Sequence, residues 1–255
     1  MQSLIKRPRL YKWLRPKMDR LLSYDTAIEL ADIIKLGSGR DAFALCAERF
    51  NPKIKIKGAH HIPPSGRCII MANHPTGLAD GPALFEVLNP IRPDHLYVAN
   101  ADALRVIPKG DDIIIPVEWV KEKRTHSKAR HTVMRIKDAL EHERSVIIFP
   151  SGAPAKLSWR GLKDMPWEHS AVMMARRHHT PIIPLHIKAR NSAFFYILSR
   201  IHPELRNITL FHEMINKRTS TFHFTFGAPI APESLVKNPK QATENIRNIV
   251  ENLSG

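Results

Sequence analysis

The sequence predicts an α/β fold in which a mixed, largely parallel sheet is flanked by helices and preceded by an N-terminal helical element. From residue 53 onwards, short apolar runs typical of strands alternate with stretches that have the 3.6-residue period of helices. This alternation is typical of layered α/β folds, and a few short connections suggest that some strands are antiparallel. Of 255 residues, 43% are hydrophobic and 25% charged, enough to bury a core without a disulfide or metal.

The N-terminal part is predicted to be a basic arm followed by helices. Residues 1–15 mix basic side chains with large apolar and aromatic ones, which suits the headgroup level of a bilayer. A solvated tail, or an arm packed on the domain, is the alternative. Pro16 suits the first turn of a helix, and a second short helix is predicted over 41–50. We therefore divide the chain into a segment 1–50, membrane-contacting in the first interpretation, and one domain, 51–255.

Strands and helices alternate through the rest of the chain. In chain order, strands are predicted at 53–58, 67–72, 95–99, 112–117, 145–150, 181–187 and 221–227. Helices are predicted at 80–88, 125–142, 168–178, 192–213 and 239–252. No internal repeat and no low-complexity linker interrupts this order, which favours a single domain.

The net charge indicates a polyanionic partner. Lys and Arg number 39 against 24 Asp and Glu, which leaves +15. Such a surface attracts nucleic acid, an anionic membrane or an acidic protein. Only Cys46 and Cys68 are present, which excludes a disulfide framework and a cysteine-based zinc site. No apolar run approaches the roughly 18 residues that span a bilayer, and no secretory signal is recognisable, so a cytoplasmic location is expected.

A candidate general base lies in the stretch NHPTGLADG, from Asn73 to Gly81, directly after the predicted strand 67–72. Ligands of open α/β sheets bind at the carboxyl ends of strands. His74 can be neutral near pH 7, and a carboxylate bonded to one ring nitrogen leaves the other ready to take a proton. Asp80 follows His74 by six residues, across a turn with proline and glycine. The alternative is an Asx-turn that carries a surface histidine.

Two further motifs accompany this turn. They are Phe149-Pro150-Ser151-Gly152 at the end of a predicted strand, with Lys156 shortly after it, and the Pro-x-x-Pro run 181–184. In this order and spacing, the three motifs resemble the glycerolipid acyltransferases of the lysophosphatidate acyltransferase (PlsC-like) superfamily. The resemblance extends from about residue 54 to 230. It implies a glycerolipid acyltransferase-like fold for the domain.

The match is closer to one branch, the hemolysin-like or lyso-ornithine-lipid acyltransferases. That branch is similar in its longer His-to-Asp spacing, in Arg190-Asn191-Ser192 with aromatic residues after it, and in Asn216-Lys217. Two departures concern the acceptor. A serine, Ser151, replaces the family's glutamate, and the strand 112–117 lacks the arginine that contacts an acceptor phosphate. Cations near that strand in sequence could replace the arginine: Lys121, Lys123, Arg124 and Arg130.

The resemblance implies an O-acyltransferase that moves a fatty acyl chain from an acyl thioester to the hydroxyl of a lysolipid, in phospholipid or aminolipid biosynthesis. His74 and Asp80 are the implied catalytic residues. The implied substrate-binding residues are Asn73, Gly77, Gly81, Phe149, Pro150, Ser151, Gly152, Lys156, Arg124 and Arg130. Backbone N–H groups at Gly77 or at Ser151–Gly152 are the candidate donors to the oxyanion of the tetrahedral intermediate.

The partners follow from the same resemblance. Acyl carrier protein or coenzyme A would supply the thioester as cosubstrate, and no other cofactor is expected. The basic stretch 121–135 is interpreted as a donor- or headgroup-binding face, with a solvated helix face as the alternative. We expect peripheral contact with the anionic inner face of the membrane and no nucleic acid. No metal is expected, since adjacent histidines such as His60-His61 point apart on a regular helix or strand.

Two other classes of function stay open. A basic protein that binds nucleic acid or lipid without turnover would have the same net charge, although no zinc finger, RRM signature or helix-turn-helix spacing is recognisable. A lipid-ester hydrolase would use a serine nucleophile, and the G-x-S-x-G elbow of such enzymes is missing from the sequence.

Overall fold

The computed structural model describes residues 24–118, 124–159, 161–201, 209–210, 212–215 and 220–254. These residues contain a central sheet, a short hairpin and helices on both faces of the sheet. The predictions for the arm 1–15, for Pro16 and for Asn216-Lys217 fall on residues outside these ranges.

Seven strands form the central sheet, one for each predicted strand. They are β1 (Lys53–Lys57), β2 (Cys68–Ala72), β3 (Leu96–Asn100), β4 (Ile114–Val117), β5 (Ser145–Ile148), β8 (Ile182–Lys188) and β9 (Thr221–Phe226). The hairpin between β5 and β8, which the sequence did not predict, comprises β6 (Lys156–Ser158) and β7 (Gly161–Lys163). The order across the sheet is β1-β9-β8-β2-β5-β3-β4.

The sheet is mixed and largely parallel, as predicted. β8 and β9 pair antiparallel, and the other neighbouring pairs are parallel, so β1 and β9 run against the remaining five strands. The reversed pair is joined by the long segment 189–220. The change of direction was therefore predicted correctly, but the short connections given as its reason were not the cause.

The helices cover both faces of the sheet. They are α1 (Tyr24–Ile34), α2 (Gly39–Phe50), α3 (Asp80–Leu88), α4 (Ala103–Val106), α5 (His126–Glu141), α6 (Ser170–Arg177), α7 (Ala193–Ile201) and α8 (Pro239–Asn252). Residues 209–210 and 212–215 are also helical. For α3, α5, α6 and α8 the observed bounds lie within two residues of the prediction, whereas α4 was not predicted.

Alternate side chains of β2 pack against different helices. Cys68, Ile70 and Ala72 join a cluster with α1, α2 and α3, whereas Ile69 and Met71 join one with α5, α6 and α8. All five side chains are completely buried. Each large side chain buried in this way stabilises the fold by roughly 1.5–3 kcal/mol. Burial on both faces explains why β2 is a continuous apolar run rather than an alternating one.

The parallel strands bring the sequence motifs to one edge of the sheet. β2, β3, β4, β5 and β8 end there, at what we call the carboxyl edge; they begin at the opposite, amino edge. The stretch NHPTGLADG follows β2, residues 149–152 follow β5, and residues 190–192 follow β8. Because β2 lies between β5 and β8, these three segments are neighbours.

Candidate active site

The side chain of Asn73 links the turn after β2 to the neighbouring strand β8 by hydrogen bonds. Its Nδ2 donates a hydrogen bond to the Ile187 carbonyl oxygen at 2.9 Å, and the Ile187 N–H donates to Asn73 Oδ1 at 2.6 Å. The side-chain amide thereby extends the hydrogen-bonded ladder between the two strands. These two hydrogen bonds therefore fix the backbone position of the next residue, His74, at the carboxyl edge.

His74 is held by contacts with three residues that are distant in sequence. Its ring stacks on Phe149, with ring centroids 4.3 Å apart and an angle of 24° between the planes. Its backbone N–H donates to both carboxylate oxygens of Asp164 at 3.3 Å, and its carbonyl oxygen accepts the Ala155 N–H at 2.8 Å. The side chain remains 19% exposed, so a substrate can reach it.

The structure brings the two predicted catalytic side chains together. Asp80 is completely buried at the start of α3, and its Oδ2 lies 2.9 Å from His74 Nδ1. The same oxygen accepts the N–H groups of Thr76 and Gly77 at 3.0 Å each, and Oδ1 accepts the Thr76 hydroxyl at 2.5 Å. Because an ionised carboxylate only accepts, we assign the ring hydrogen to Nδ1. Nε2 is then the nitrogen that can take a proton.

Gly77 allows the turn after β2 to contact the turn after β5. Its φ of +79° lies in the region that favours glycine. A Cβ at this position would lie 2.7 Å from Cγ of Pro154, closer than two carbon atoms can approach without a shift. The predicted residues Gly77 and Gly152 therefore lie in turns that pack against each other.

The predicted oxyanion donors are only partly available. The Gly77 N–H is bonded to Asp80, and the Gly152 N–H donates to the Phe149 carbonyl oxygen at 3.0 Å. The prediction was therefore wrong for these two groups. In the described part of the chain, the Ser151 N–H makes no hydrogen bond. The Ser151 hydroxyl donates to the Ala153 carbonyl oxygen at 3.1 Å, as turn serines commonly do.

Asp164 and Trp167 support His74 and were missed as site residues. The Trp167 Nε1–H donates to Asp164 Oδ2 at 3.0 Å, on the carboxylate that accepts the His74 N–H. Burial raises the pKa of Asp164, although hydrogen bonds from Trp167 and His74 oppose that rise. Asp164 is ninety residues from His74, so no local pattern could have linked them.

Asn191 is a further residue whose structural role was missed. It is 4% exposed, and its Nδ2 donates to the Thr76 carbonyl oxygen at 3.1 Å. Thr76 in turn donates twice to Asp80. Asn191 thereby links the segment after β8 to the turn that carries the His74–Asp80 pair. The sequence pattern Arg-Asn-Ser marked this position only as a resemblance.

Three other predicted substrate-binding residues, Gly81, Pro150 and Lys156, have no hydrogen bond to His74 or Asp80 within the described residues. The Gly81 carbonyl oxygen accepts the Tyr97 hydroxyl at 3.2 Å, and the carbonyl oxygen of the buried Pro150 accepts the Glu168 N–H at 3.0 Å. These two residues shape the backbone around the site. Lys156 is exposed on β6.

The predicted cations Arg124 and Arg130 are exposed at the start of α5, after β4. Arg124 Nε donates to the Glu118 carbonyl oxygen at 3.0 Å. β4 lies three positions from β2 in the sheet, which is roughly 14 Å at about 4.8 Å per strand. These cations thus lie on the same edge as His74 but not beside it.

The prediction that adjacent histidines point apart was wrong for His60 and His61. The rings of His60 and His61 do not point apart, because a 3₁₀-helix places their centroids 4.1 Å from each other. His61 Nδ1 lies 3.0 Å from the Phe226 carbonyl oxygen, which accounts for one of its ring nitrogens. Within the described ranges, no group of three or more His, Cys, Asp or Glu side chains is placed to hold a metal ion.

The family model described as Acyltransferase matches residues 53–188. The match covers more than half of the chain and includes both the His74–Asp80 turn and the turn after β5. The chain belongs to the acyltransferase family. This confirms the resemblance to PlsC-like acyltransferases found in the sequence, whereas the closer similarity to the hemolysin-like branch stays a prediction.

Two curated relatives are similar over most of the chain. A lyso-glycine lipid O-acyltransferase of Phocaeicola vulgatus is 29% identical over 84% of this chain and 78% of its own length. A protein of the same name from Bacteroides thetaiotaomicron is 26% identical over 97% of this chain and 94% of its own. The solved structure of the 1-acyl-sn-glycerophosphate (LPA) acyltransferase PlsC from Thermotoga maritima aligns over 88% of this chain and 80% of its own, with 16% identity and a TM-score of 0.49.

Proposed function

We propose that this acyltransferase moves a fatty acyl chain from an acyl thioester to the hydroxyl of a lysolipid, in lipid biosynthesis. The observation that carries the proposal is the His74–Asp80 pair, held at 2.9 Å within the region that matches the family. Both curated relatives are named lyso-glycine lipid O-acyltransferases, which favours an acceptor built on an amino acid.

His74 is the general base of the proposed reaction. Its Nε2 takes the proton of the acceptor hydroxyl while that oxygen attacks the thioester carbonyl carbon and forms the new C–O bond. Asp80 stabilises the imidazolium that results. The C–S bond then breaks, and the imidazolium returns its proton to the leaving thiolate. Such proton transfer contributes roughly 10²–10⁴-fold to the rate, and no acyl-enzyme is needed.

The oxyanion of the tetrahedral intermediate needs a donor placed in advance. We assign this role to the Ser151 N–H, because Ser151 lies two residues after Phe149, on which the His74 ring stacks. The N–H groups of Gly77 and Gly152 are used elsewhere. Replacement of the family's glutamate by Ser151 leaves this backbone group in place.

The cations at the start of α5 are assigned to the acyl donor. Coenzyme A carries phosphates and acyl carrier protein is acidic, so either would be attracted to Arg124 and Arg130. Both side chains are exposed there. Arg130→Ala is expected to raise the KM for the donor a few-fold, with a larger effect at low salt. The KM for the acceptor should stay unchanged, and a change in that constant instead would contradict the assignment.

Peripheral contact with the inner face of a membrane is part of the proposal, because the acceptor is a lipid. Among the helices that the structure describes, none is both long and apolar enough to cross a bilayer. The basic arm 1–15 is the proposed contact. Its deletion should reduce activity on vesicles more than on detergent-dispersed acceptor, and equal losses would contradict this role.

The decisive experiment follows thioester consumption and acylated lipid with purified protein, both candidate donors and a panel of lysolipids. His74→Ala should lower the rate by at least 100-fold without unfolding the protein. His142→Ala is the matched control, since that side chain is exposed at the far end of α5. An unchanged rate in His74→Ala would remove the general base. Release of free fatty acid without transfer would favour the lipid-ester hydrolase, and binding without turnover would favour a binding protein.

A further inference from the structure

A cleft of about 610 Å³ opens at the carboxyl edge, where β8 ends and α7 and β9 begin. Its lining includes Lys188, Arg190, Asn191, Ser192, His223 and, from the hairpin, Leu162. The volume is within the range of small-molecule sites. None of the predicted substrate-binding residues lines it.

The cleft shares a wall with the His74–Asp80 pair. β8 is the direct neighbour of β2, with Leu185 beside Ala72, and it continues three residues beyond the point at which β2 ends. Asn191 forms part of the lining and donates to the Thr76 carbonyl oxygen at 3.1 Å. A ligand bound in the cleft is therefore adjacent to the turn that carries the catalytic pair.

Two cations give this cleft a positive charge. The side chains of Lys188 and Arg190 are exposed along it, and neither forms an ion pair with a described acidic side chain. Ser192, which also lines the cleft, donates its N–H and its hydroxyl to the buried carboxylate of Glu213, at 2.8 and 2.5 Å. An anion in the cleft would therefore meet the positive charges of Lys188 and Arg190 at the rim. The carboxylate of Glu213 already accepts hydrogen bonds from Ser192.

Asn191 adds a hydrogen-bond acceptor to the cleft wall. Its Nδ2 is bonded to a carbonyl oxygen, which fixes the orientation of the amide. Its Oδ1 is buried and makes no hydrogen bond in the described part of the chain. Buried polar atoms without a partner are uncommon and call for an explanation. A small adjustment on binding would let this oxygen accept an N–H from a ligand.

We propose that this cleft binds the negatively charged headgroup of the acyl acceptor, a carboxylate on an amino-acid lipid, through Lys188 and Arg190. The inference rests on the proposed function. A lipid in which an amino acid is joined to a fatty chain through its amino group keeps a carboxylate for the two cations and an amide N–H for Asn191. Its hydroxyl then lies toward His74. The cations at α5 are left to the acyl donor.

The test compares two acceptors that differ only in headgroup charge, an N-(3-hydroxyacyl)glycine and its methyl ester. Lys188→Ala, Arg190→Ala and the double variant are measured with both acceptors. We expect the KM for the carboxylate acceptor to rise at least tenfold in the double variant, because charge-assisted hydrogen bonds are lost. The KM for the methyl ester and kcat should change less than about twofold. Lys240→Ala, an exposed lysine at the start of α8, is the matched control and should behave as the parent.

The outcomes separate this inference from the function on which it rests. A parent protein that acylates no lysolipid would overturn both. With an active parent, equal losses on the two acceptors would overturn the headgroup site, because a folding defect or a role in catalysis does not depend on headgroup charge. A raised KM for the thioester in place of the acceptor would assign the cleft to the donor's phosphates and also overturn it.

Discussion

The two edges of the sheet each contain a carboxylate that is bonded to a nitrogen base, and they serve different purposes. At the carboxyl edge, Asp80 is bonded to His74 at 2.9 Å. At the amino edge, Asp94 forms two hydrogen bonds to the guanidinium of Arg92, at 2.8 and 2.7 Å. Arg92 is 1% exposed and also donates to the Pro63 carbonyl oxygen at 2.8 Å.

The difference between the partners decides what each edge can do. A guanidinium keeps its proton throughout the physiological range, so the Arg92–Asp94 pair can only bind and position. An imidazole such as that of His74 can take up a proton and return it during a reaction. His74 is also partly exposed, whereas Arg92 is enclosed by loops before β2 and β5. We therefore expect substitutions at the carboxyl edge to change the rate and those at the amino edge to change stability.

Asp80→Asn should have the largest effect. The amide cannot fix the Nδ1–H tautomer of His74 or stabilise the imidazolium, so the rate should fall by roughly 10²–10⁴-fold. Stability should fall as well, because Thr76 and Gly77 donate to this carboxylate. Rates measured well below the melting temperature of the variant separate the two effects. A variant that keeps the parental rate would show that the carboxylate does not orient the base.

His95, at the amino edge, should make stability depend on pH. Burial lowers the pKa of His95 from 6.5 to about 4, against an opposing hydrogen bond to the Arg92 carbonyl oxygen. As pH falls from 6.5 to 4, the unfolded chain takes up the proton and the folded chain does not. Stability is therefore full above pH 6.5 and falls by about 3 kcal/mol toward pH 4.

Urea unfolding of the parent and of His95→Gln across this pH range measures the effect. Whatever the absolute stability of the variant, the slope of its stability between pH 6.5 and 4 should be shallower than that of the parent. Identical slopes would mean that His95 is protonated as readily in the folded protein as in the unfolded chain.

Asp94→Asn should lower stability and leave the rate intact. A fully buried ion pair that loses one partner costs roughly 3–5 kcal/mol. Asp94 is 34% exposed, so water can hydrate part of the guanidinium that loses its partner. We therefore expect the free energy of unfolding to fall by about 2 kcal/mol. Urea unfolding gives the loss, and kcat at low temperature should match the parent. A fall in kcat comparable to that of Asp80→Asn would contradict the division between the edges.

Two glycines with similar positive φ angles give the smallest expected effect and the most closely matched comparison. Gly77 has φ +79° at the carboxyl edge and Gly66 has φ +84° at the amino edge. Alanine costs on the order of 1 kcal/mol at either position because of the backbone. A Cβ at Gly77 would also lie 2.7 Å from Pro154, whereas at Gly66 the nearest atom is 3.8 Å away. Gly77→Ala should therefore be about 1 kcal/mol less stable than Gly66→Ala and slower, while Gly66→Ala keeps the parental rate. Equal losses of stability and rate would show that the contact between the two turns is unimportant.

The amino-acid sequence by itself determined most of the elements and the central pair. The strands were predictable because each is a local apolar run or, in β1 and β9, a local alternation of apolar and polar residues. Helices α3, α5, α6 and α8 were predictable because their apolar period is local too. The pairing of His74 with Asp80 was predictable because six residues separate them across one turn. A pattern within one segment can predict a contact only between residues that are close in sequence.

Only the tertiary structure decided the order and direction of the strands and everything that depends on them. The contacts of His74 with Asp164 and of Thr76 with Asn191 join residues 90 and 115 positions apart. They exist because β2 lies between β5 and β8, an arrangement that no periodicity of a single segment encodes. The cleft at the end of β8 and the occupied N–H groups of Gly77 and Gly152 became visible for the same reason: a contact between distant segments depends on which strands are neighbours.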